Sequence, residues 1–503
     1  MMNGANFGIV RRVITSSNFM KMIAIALLAK NDDKMNEKES VQKVIDTIRK
    51  NGGEAYLVGG CVRDLIIGRE PNDYDIATNL MPDQIINMFK RVIPTGIQHL
   101  TVTVLMNGYS IEVTTYRLEN DYSDGRHPDE VFAADTIKED LSRRDFTINA
   151  IASTDISLTK IIDYFDGVSD IKNKTIRCVG TPKERFNEDK LRALRAIRFS
   201  SQLNFKLSDD IIEELKTVSL EQISRERIQM EIIKILSSNK PVEAFEIMKD
   251  TGILKQIIPE LLECVGLEGG HHHGDKEDVW THSMLALKES VQRTKNWILR
   301  FTCVLHDVGK PLEFTKEDGV VHFIGHEKTG AEIATVIMKR LKFSNDDISY
   351  VRRLIRFHMV SYIKNMHGKL SKKAVKKAVR NIGENNLWDM MILNYCDNKA
   401  NLKGHTVSFD TFVKKKTIWH EWQEIKKHDS AMKVTDLAVN GHDMMKIGFK
   451  EKEVGKILNE MLDKVDGDEI ENNKESLLKY AKEKHMSKCE IEYEKEKNGL
   501  KLW

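Results

Sequence analysis

The chain has 503 residues, 41% of them apolar and 31% charged, with Lys+Arg 78 against Asp+Glu 76 and a formal net charge of +2 at pH 7. That length exceeds what one hydrophobic core organises, so three or more modules are expected, and the composition is that of a helix-rich globular protein rather than a disordered chain. Charge this evenly balanced excludes a globally basic nucleic-acid binder, so any such surface has to come from local clustering.

The six cysteines, Cys61, Cys178, Cys264, Cys303, Cys396 and Cys489, show no CxxC spacing. They indicate neither a thiolate zinc site nor a disulfide framework and fit reduced thiols in a cytoplasmic protein. The apolar run from Phe19 to Ala29 is short and broken by Lys21, so no secretion signal or membrane span is read from it. Residues 1–34 are set aside as an N-terminal extension.

Taken in chain order, Val41, Val44, Ile45 and Ile48 recur at helical spacing before Asn51-Gly52-Gly53 stops the helix. Ala55 to Val58 predicts a strand running into Gly59-Gly60, and a helix follows from Arg63 to Ile67, a sequence of elements suited to phosphate binding. Thr101 to Met106 and Ser110 to Tyr116 alternate like strands and are joined by Asn107-Gly108, a hairpin signal. A small mixed sheet is thus predicted, giving a head over residues 35–165. Beyond Thr181 the pattern turns continuously helical, with runs such as Leu191 to Phe199, Ile211 to Leu215 and Arg227 to Leu236, read as a neck over 166–265. The glycine- and histidine-rich stretch Gly266 to Gly274, with His271, His272 and His273, marks a boundary. A histidine-dense helical region then occupies 266–410, and a charged helical tail closes the chain over 411–503.

In Pro71-Asn72-Asp73-Tyr74-Asp75-Ile76 the two aspartates stand two apart in an extended segment, which projects both carboxylates from one face of a strand. Such a pair can share divalent cations, and Mg²⁺ favours a few carboxylates completed by water and phosphate oxygens. Glu112, on the far arm of the predicted hairpin, is the candidate third acid. The upstream run Gly59-Gly60-Cys61-Val62-Arg63-Asp64 offers backbone N–H groups and the Arg63 guanidinium to a triphosphate. Further on, Asp189 and Arg192 in Glu188-Asp189-Lys190-Leu191-Arg192 fall on one side of a helical run. They read either as an intrahelical ion pair or as an acceptor-plus-donor match to the exocyclic amine and ring nitrogen of cytosine or adenine. Guanine and uracil present the opposite order and would leave desolvated groups unpaired. The polar segment from Arg117 to Glu139, with Asp124 and Arg126, reads as a mobile loop.

The motifs GGCVRD, DYDIAT and Arg143-Arg144-Asp145-Phe146-Thr147-Ile148-Asn149-Ala150 together resemble the signature of bacterial class II tRNA nucleotidyltransferases and poly(A) polymerases. The resemblance implies an α+β fold: a small mixed-sheet, polymerase-β-like nucleotidyltransferase head followed by an all-helical neck, body and tail. It implies metal-dependent transfer of nucleoside monophosphates to an RNA 3′-hydroxyl, with Asp73, Asp75 and Glu112 as the Mg²⁺ carboxylates. The nucleotide contacts it carries over are Gly59, Gly60, Arg63, Arg144, Asp145, Asn149, Asp189, Arg192, Arg195 and Arg198, with EDKLR resembling the element that templates CTP and ATP. The loop bearing Arg117, Asp124 and Arg126 is full length, which favours complete CCA synthesis. Ser224 to Arg227 opens a helix similar to the next family motif, and Val434 to Gly441 is similar to a tail that grips tRNA. Lys364 to Lys377 and Lys414 to Lys416 are candidate phosphate contacts.

Histidines cluster in the second half as His282, His306-Asp307, His326 and His358, followed by Asp397. This order resembles the HD superfamily of metal-dependent phosphohydrolases. The resemblance implies a first divalent metal on His282, His306, Asp307 and Asp397, with His326 and His358 completing that site or holding a second ion. Imidazole and carboxylate ligands without thiolate suit Mg²⁺, Mn²⁺ or Ni²⁺. The expected partners are tRNA, CTP and ATP, with no membrane, in a monomer or homodimer. The rival readings are a poly(A) polymerase, an A-adding enzyme and, from another class, an HD phosphohydrolase with a degenerate transferase head.

Overall fold

A computed structural model of the chain describes residues 35–120, 130–269, 278–359, 371–400, 408–414, 418–427 and 433–499. The expectations for residues 1–34, for Asp124 and Arg126, for His271 to His273, for residues 364–370 and for Lys415 and Lys416 lie outside the described residues. The chain divides into two compact units, residues 1–257 and 258–503.

The first unit opens with α1 (Glu37–Lys50), closed at its start by a capping box in which Asn36 and Glu39 exchange bonds of 3.0 Å. Its buried stripe is Ser40, Val41, Val44, Ile45 and Ile48, which reproduces the apolar spacing of the sequence. Nine strands follow: β1 (Ala55–Val58), β2 (Asp75–Thr78), β3 (Val92–Gly96), β4 (Thr101–Met106), β5 (Tyr109–Thr115), β6 (Arg117–Asn120), β7 (Glu130–Ala133), β8 (Ile151–Ser153) and β9 (Ile161–Asp163). β6 and β7 pair with each other, and the remaining seven form one mixed sheet in the order β3-β4-β5-β2-β1-β8-β9. Asn107 and Gly108, with φ 52° and 86°, make the two-residue turn between β4 and β5, and Met106 pairs with Tyr109 across it. Within the sheet β2 and β5 run parallel while its other pairings are antiparallel.

Several local expectations are corrected: where it is described, the segment from Arg117 to Glu139 read as a loop is the β6 and β7 strand pair followed by the first turn of a helix at Ile137. Helix α2 spans Gly60–Ile67 and starts three residues before Arg63, because Gly59 caps it at φ 80° and Gly60 enters the helix despite its poor propensity. Asp73 does not lie on a strand: it sits in the bend of residues 72–73, and β2 begins at Asp75. Tyr74, 2% exposed, anchors the turn in the core.

After α3 (Ile137–Ser142), the two-residue strands β10 (Thr175–Ile176) and β11 (Lys206–Leu207) pair in parallel, flanking α4 (Pro182–Glu188) and α5 (Leu191–Leu203). Asp189, extended at φ −142°, ψ 103°, ends α4, so Asp189 and Arg192 are not on one continuous helix. Helix α6 (Arg225–Leu236) opens at Ser224, as its sequence predicts.

The second unit is built from α7 (Val279–Arg293), α8 (Trp297–Leu305), α9 (His326–Arg340), α10 (Asn345–Phe357), α11 (Lys372–Ile382) and α12 (Leu387–Ala400). A short hairpin, β12 (Thr315–Glu317) with β13 (Val320–His322), interrupts the helices and was not anticipated; its three-residue strands give no alternating pattern. Helix α13 (Glu451–Asp466) packs with Leu437, Met444, Phe449 and Leu477 into a separate small core. Among the described residues no helix is long and apolar enough to cross a membrane.

Candidate active sites

In the first unit the parallel register of β2 and β5 sets Asp75 opposite Glu112. Both line a cleft of about 670 Å³ together with Asp73, Gly60, Arg63 and Arg117. Burial, then the charge of Asp73, raises the Asp75 carboxyl to about 6; Arg144 pulls it back and Glu112 raises it further. Three carboxylates drawn into one cleft offer an all-oxygen donor set that fits Mg²⁺.

The far wall of the cleft is cationic. Arg143 and Arg144 are both tied to the buried Asp140, Arg144 through Nη2 at 3.1 Å, and a side chain at Gly59 would strike Arg144 Nη1 at 2.6 Å. The guanidinium end could shift aside, but φ 80° and ψ −134° at Gly59 are a backbone conformation that glycine alone adopts without strain. Asp145 accepts from Arg195 Nε and Nη2 at 2.9 and 2.6 Å and from Asn149 Nδ2 at 3.1 Å, while Arg63 Nη1 donates to Asn149 Oδ1 at 2.6 Å. Arg63, Asn149, Asp145 and Arg195 thus form one continuous chain of bonds. Arg198 turns away to Glu231 at 2.6 Å, although it still borders the cleft.

Asp189 and Arg192 also line this cleft but do not pair with each other, which disposes of the intrahelical ion pair. Arg227 Nη2 donates to Asp189 Oδ2 at 2.7 Å, and Arg192 pairs with Glu188 and reaches the Arg143 carbonyl at 3.2 Å. Asp189 and Arg192 are thereby each held by a partner of opposite charge.

The second unit gathers all six acid and imidazole side chains of the H, HD, H, H, D series in its interior. His282, His306 and Asp397 form one group and Asp307, His326 and His358 another, each with candidate ligand atoms within 4.8 Å of one another. Asp307 links them: its Oδ2 lies 3.4 Å from His282 Nε2 and 3.3 Å from His306 Nε2, its Oδ1 3.4 Å from His326 Nε2. His306, His326 and His358 turn Nδ1 to the carbonyls of Cys303, Phe323 and Ile355 at 2.8, 2.7 and 2.6 Å. A carbonyl only accepts, so each Nδ1 carries a hydrogen and Nε2 of each ring is the nitrogen left to face the cluster. Nε2 atoms 3.1 Å apart in His282 and His306, and 3.3 Å apart in His326 and His358, then share a space with carboxylate oxygens. Such a set has more acceptors than protons, the donor chemistry of a divalent metal site. Burial and the neighbouring imidazoles hold His358 down to about 4, whereas Asp307 and Asp397 overcome burial at His306 and raise it well above the usual imidazole value.

Residues 55–177 match the poly(A) polymerase head domain, residues 204–264 the RNA- and SrmB-binding region of polymerase A, and residues 315–481 tRNA nucleotidyltransferase domain 2. The three matched regions are similar to domains of tRNA nucleotidyltransferases and poly(A) polymerases. It is 43% identical over 253 residues to the CCA-adding enzyme of Levilactobacillus brevis, a stretch that is 49% of this chain and 63% of that one. It is 49% identical over 203 residues to the CCA-adding enzyme of Enterococcus faecalis, 40% of this chain and 50% of that one. The chain therefore spans between half and 63% of the length of these relatives. Its fold is that of the Bacillus stearothermophilus CCA-adding enzyme in complex with CTP, at a TM-score of 0.63 and 24% identity over 91% of this chain and 100% of that one. The Thermotoga maritima CCA-adding enzyme complexed with tRNA aligns at a TM-score of 0.55 and 19% identity, over 91% of this chain and 97% of that one.

Sequence reasoning missed two supporting side chains, Asp140 and Lys310, whereas Arg227 lies in the Ser224 to Arg227 motif it had singled out. Asp140 gathers the paired arginines, Arg227 holds Asp189, and Lys310 places Nζ 2.7 Å from Asp307 Oδ2. Lys310 stands three residues after Asp307, a one-turn spacing that could have flagged it. Asp140 stands three and four residues before Arg143 and Arg144, the same one-turn spacing, but those arginines were already singled out for phosphate.

Proposed function

We propose that the first unit adds C, C and A stepwise to the 3′ end of tRNA from CTP and ATP, releasing pyrophosphate and using no nucleic-acid template. One observation carries this reading: the carboxylates Asp73, Asp75 and Glu112 share a single cleft with Asp189 and Arg192, so phosphate chemistry and base recognition are within one nucleotide's reach. Asp73, Asp75 and Glu112 would hold Mg²⁺, which supplies the charge that activates the RNA hydroxyl and neutralises the triphosphate. Arg63, Arg144 and Arg195 face that triphosphate. Asp189 accepts from the exocyclic amine of cytosine or adenine, and Arg192 donates to the adjacent ring nitrogen or carbonyl. Arg227 and Glu188 keep these two groups from turning away, so guanine and uracil meet like against like. Cys61, Cys178, Cys264, Cys303 and Cys396 are buried free thiols, in keeping with a cytoplasmic location. The test is extension of tRNAs ending in the discriminator base, in C and in CC, with each nucleotide separately. Homopolymeric tails from ATP alone would assign the cleft to poly(A) synthesis instead.

The buried cluster of the second unit favours a further reading, metal-dependent hydrolysis of a phosphoester. His282, His306, Asp307 and Asp397 would hold one divalent ion and His326 and His358, with Asp307, a second; Mn²⁺, Ni²⁺ and Mg²⁺ are the candidates. The bound ions supply an activated water and a Lewis acid for the phosphoryl oxygens. Lys310 compensates the Asp307 charge and fixes which oxygen faces each group. Phosphate release from p-nitrophenyl phosphate with added Mn²⁺ checks the reading, and equal rates for wild type and His306→Ala would refute it.

A further inference from the structure

Phe199, on α5, lies among three guanidiniums. Arg198 Cζ stands 3.9 Å from the centre of its ring, Arg63 Cζ 5.1 Å and Arg195 Cζ 5.4 Å. The ring is 6% exposed and borders the cleft of Asp73, Asp75 and Glu112 together with all three arginines. Phe146, fully buried, meets it edge to face with ring centres 5.7 Å apart.

The three cations come from two elements. Arg195 and Phe199 are one turn apart on α5 and Arg198 adjoins the ring in sequence, whereas Arg63 belongs to α2. Each guanidinium also bonds a polar partner through its N–H edge: Arg63 to Asn149, Arg195 to Asp145 and Arg198 to Glu231, each at 2.6 Å. An edge contact fixes where a guanidinium sits but not how its plane is turned; an aromatic ring against it fixes the plane, because the ring's electron-rich face attracts the cation. Burial holds the Arg198 guanidinium below its ordinary value, against the pull of Glu231 and with the push of Arg195. The cations are therefore crowded enough to repel one another, and the ring stands where that repulsion has to be offset.

Neither plainer role accounts for the ring. Filling space explains the contact with Phe146 but not three guanidiniums within 5.4 Å of one centroid. Stacking a nucleobase needs an open face, and this ring is 6% exposed with Arg198 against it at 3.9 Å.

We infer that Phe199 is a positioning residue for nucleotidyl transfer: its ring holds Arg63, Arg195 and Arg198 in the orientation that receives the triphosphate, and so ties α2 to α5 at the cleft. The inference rests on the transferase reading of the first unit and adds to it a residue that acts through the arginines and not on the base.

The experiment uses the full chain. Calorimetry reads binding of inorganic tripolyphosphate in Mg²⁺, and KM and kcat are measured separately for CTP on a tRNA ending in C and for ATP on one ending in CC. Phe199→Leu keeps an apolar side chain and removes the π face. It should weaken tripolyphosphate binding and raise both KM values by about 5–30-fold, the range that one or two lost cation–π contacts give, with kcat within a few-fold and the preference for CTP over UTP unchanged. Phe199→Tyr, which keeps the ring, should bind tripolyphosphate within about twofold of wild type. Mono-, di- and trifluorinated phenylalanine at position 199 withdraw charge from the ring face with little change of size, so affinity should fall stepwise along the series; these chains carry the test if Phe199→Leu does not fold. Equal tripolyphosphate affinity along the fluorinated series overturns the inference, as does a Kd for Phe199→Leu within about twofold of wild type. A lost preference for CTP over UTP in Phe199→Leu would move the ring to base selection and overturn it too. If tripolyphosphate binding follows the ring but wild type extends no tRNA, the transferase reading falls, while the ring's hold on an anion-binding cleft stands.

Discussion

Asp75 and Glu112 are partners across the parallel pairing of β2 with β5. That register places two acids side by side with Asp73 near, and burial with the charge of Asp73 raises Asp75 from 3.8 to about 6. A folded value above the unfolded one means the folded chain holds an extra proton between those pH values. Metal-free protein should therefore become more stable as pH falls from 7 through 6. Asp75→Asn removes the unfavourable charge and should stabilise metal-free protein at pH 7 by about 1–3 kcal/mol, while lowering nucleotide incorporation by roughly 10³-fold. Calorimetry in EDTA and primer extension report the two effects; a variant that extends tRNA normally would remove Asp75 from the chemistry.

Arg227 Nη2 lies 2.7 Å from Asp189 Oδ2 at the border of the cleft. Its role is positioning, so Arg227→Gln should leave kcat for CTP within a few-fold and lower discrimination against UTP by about 10–100-fold. Arg227→Lys should recover part of the selectivity, since a charge survives while the planar fork is lost. Competition between CTP and UTP on a tRNA ending in C measures this, and unchanged discrimination in Arg227→Gln would show that Asp189 needs no such support.

Periodicity and turn chemistry made the elements around the cleft legible before any coordinates. Asn107-Gly108 announced the β4 to β5 hairpin and so placed Glu112, and the apolar spacing of Val41 to Ile48 announced α1. What could not be read was set by tertiary partners. Asp73 lies in a bend because Tyr74 is drawn into the core, and Asp189 leaves the helix because Arg227, 38 residues away, holds its carboxylate. The histidines were visible as an ordered set, yet the Nδ1 bonds that leave Nε2 to face the cluster run to backbone carbonyls, which any residue supplies.

Asp145 is buried among Arg195, Asn149 and its neighbour's N–H, the Phe146 amide donating at 2.9 Å. Burial alone would raise its carboxyl, but Arg195 and these hydrogen bonds hold it well below the usual carboxylate range. A depressed value stabilises the fold above the unfolded value near 3.9, and the contribution is lost as pH falls through the lower folded value. Asp145→Asn leaves Arg195 without its partner and should cost about 3 kcal/mol at pH 7. The variant should also lose less on acidification than wild type does below about pH 4. Urea unfolding at pH 7 and pH 3 tests both limbs, and equal stability at pH 7 would mean the guanidinium is solvated where it stands.

Lys376 on α11 and Asp466 at the end of α13 are both fully buried, 3.3 Å apart, with Arg380 bonded to the same carboxylate and to Asp463 at 3.1 Å. Desolvation makes such a network a poor net stabiliser but a costly one to break on one side. Asp466→Leu removes the buried carboxylate 3.3 Å from the Lys376 ammonium and should cost the second unit about 3–5 kcal/mol. Arg380, being partly exposed, keeps Asp463 and loses less. Lys376→Met/Asp466→Leu removes both buried charges and should recover most of that loss, because an apolar pair of similar volume needs no desolvation of ions. Thermal unfolding of the two single variants and the double variant closes the cycle. Strict additivity of the single losses in the double variant would show that the ammonium and the carboxylate do not interact across α11 and α13.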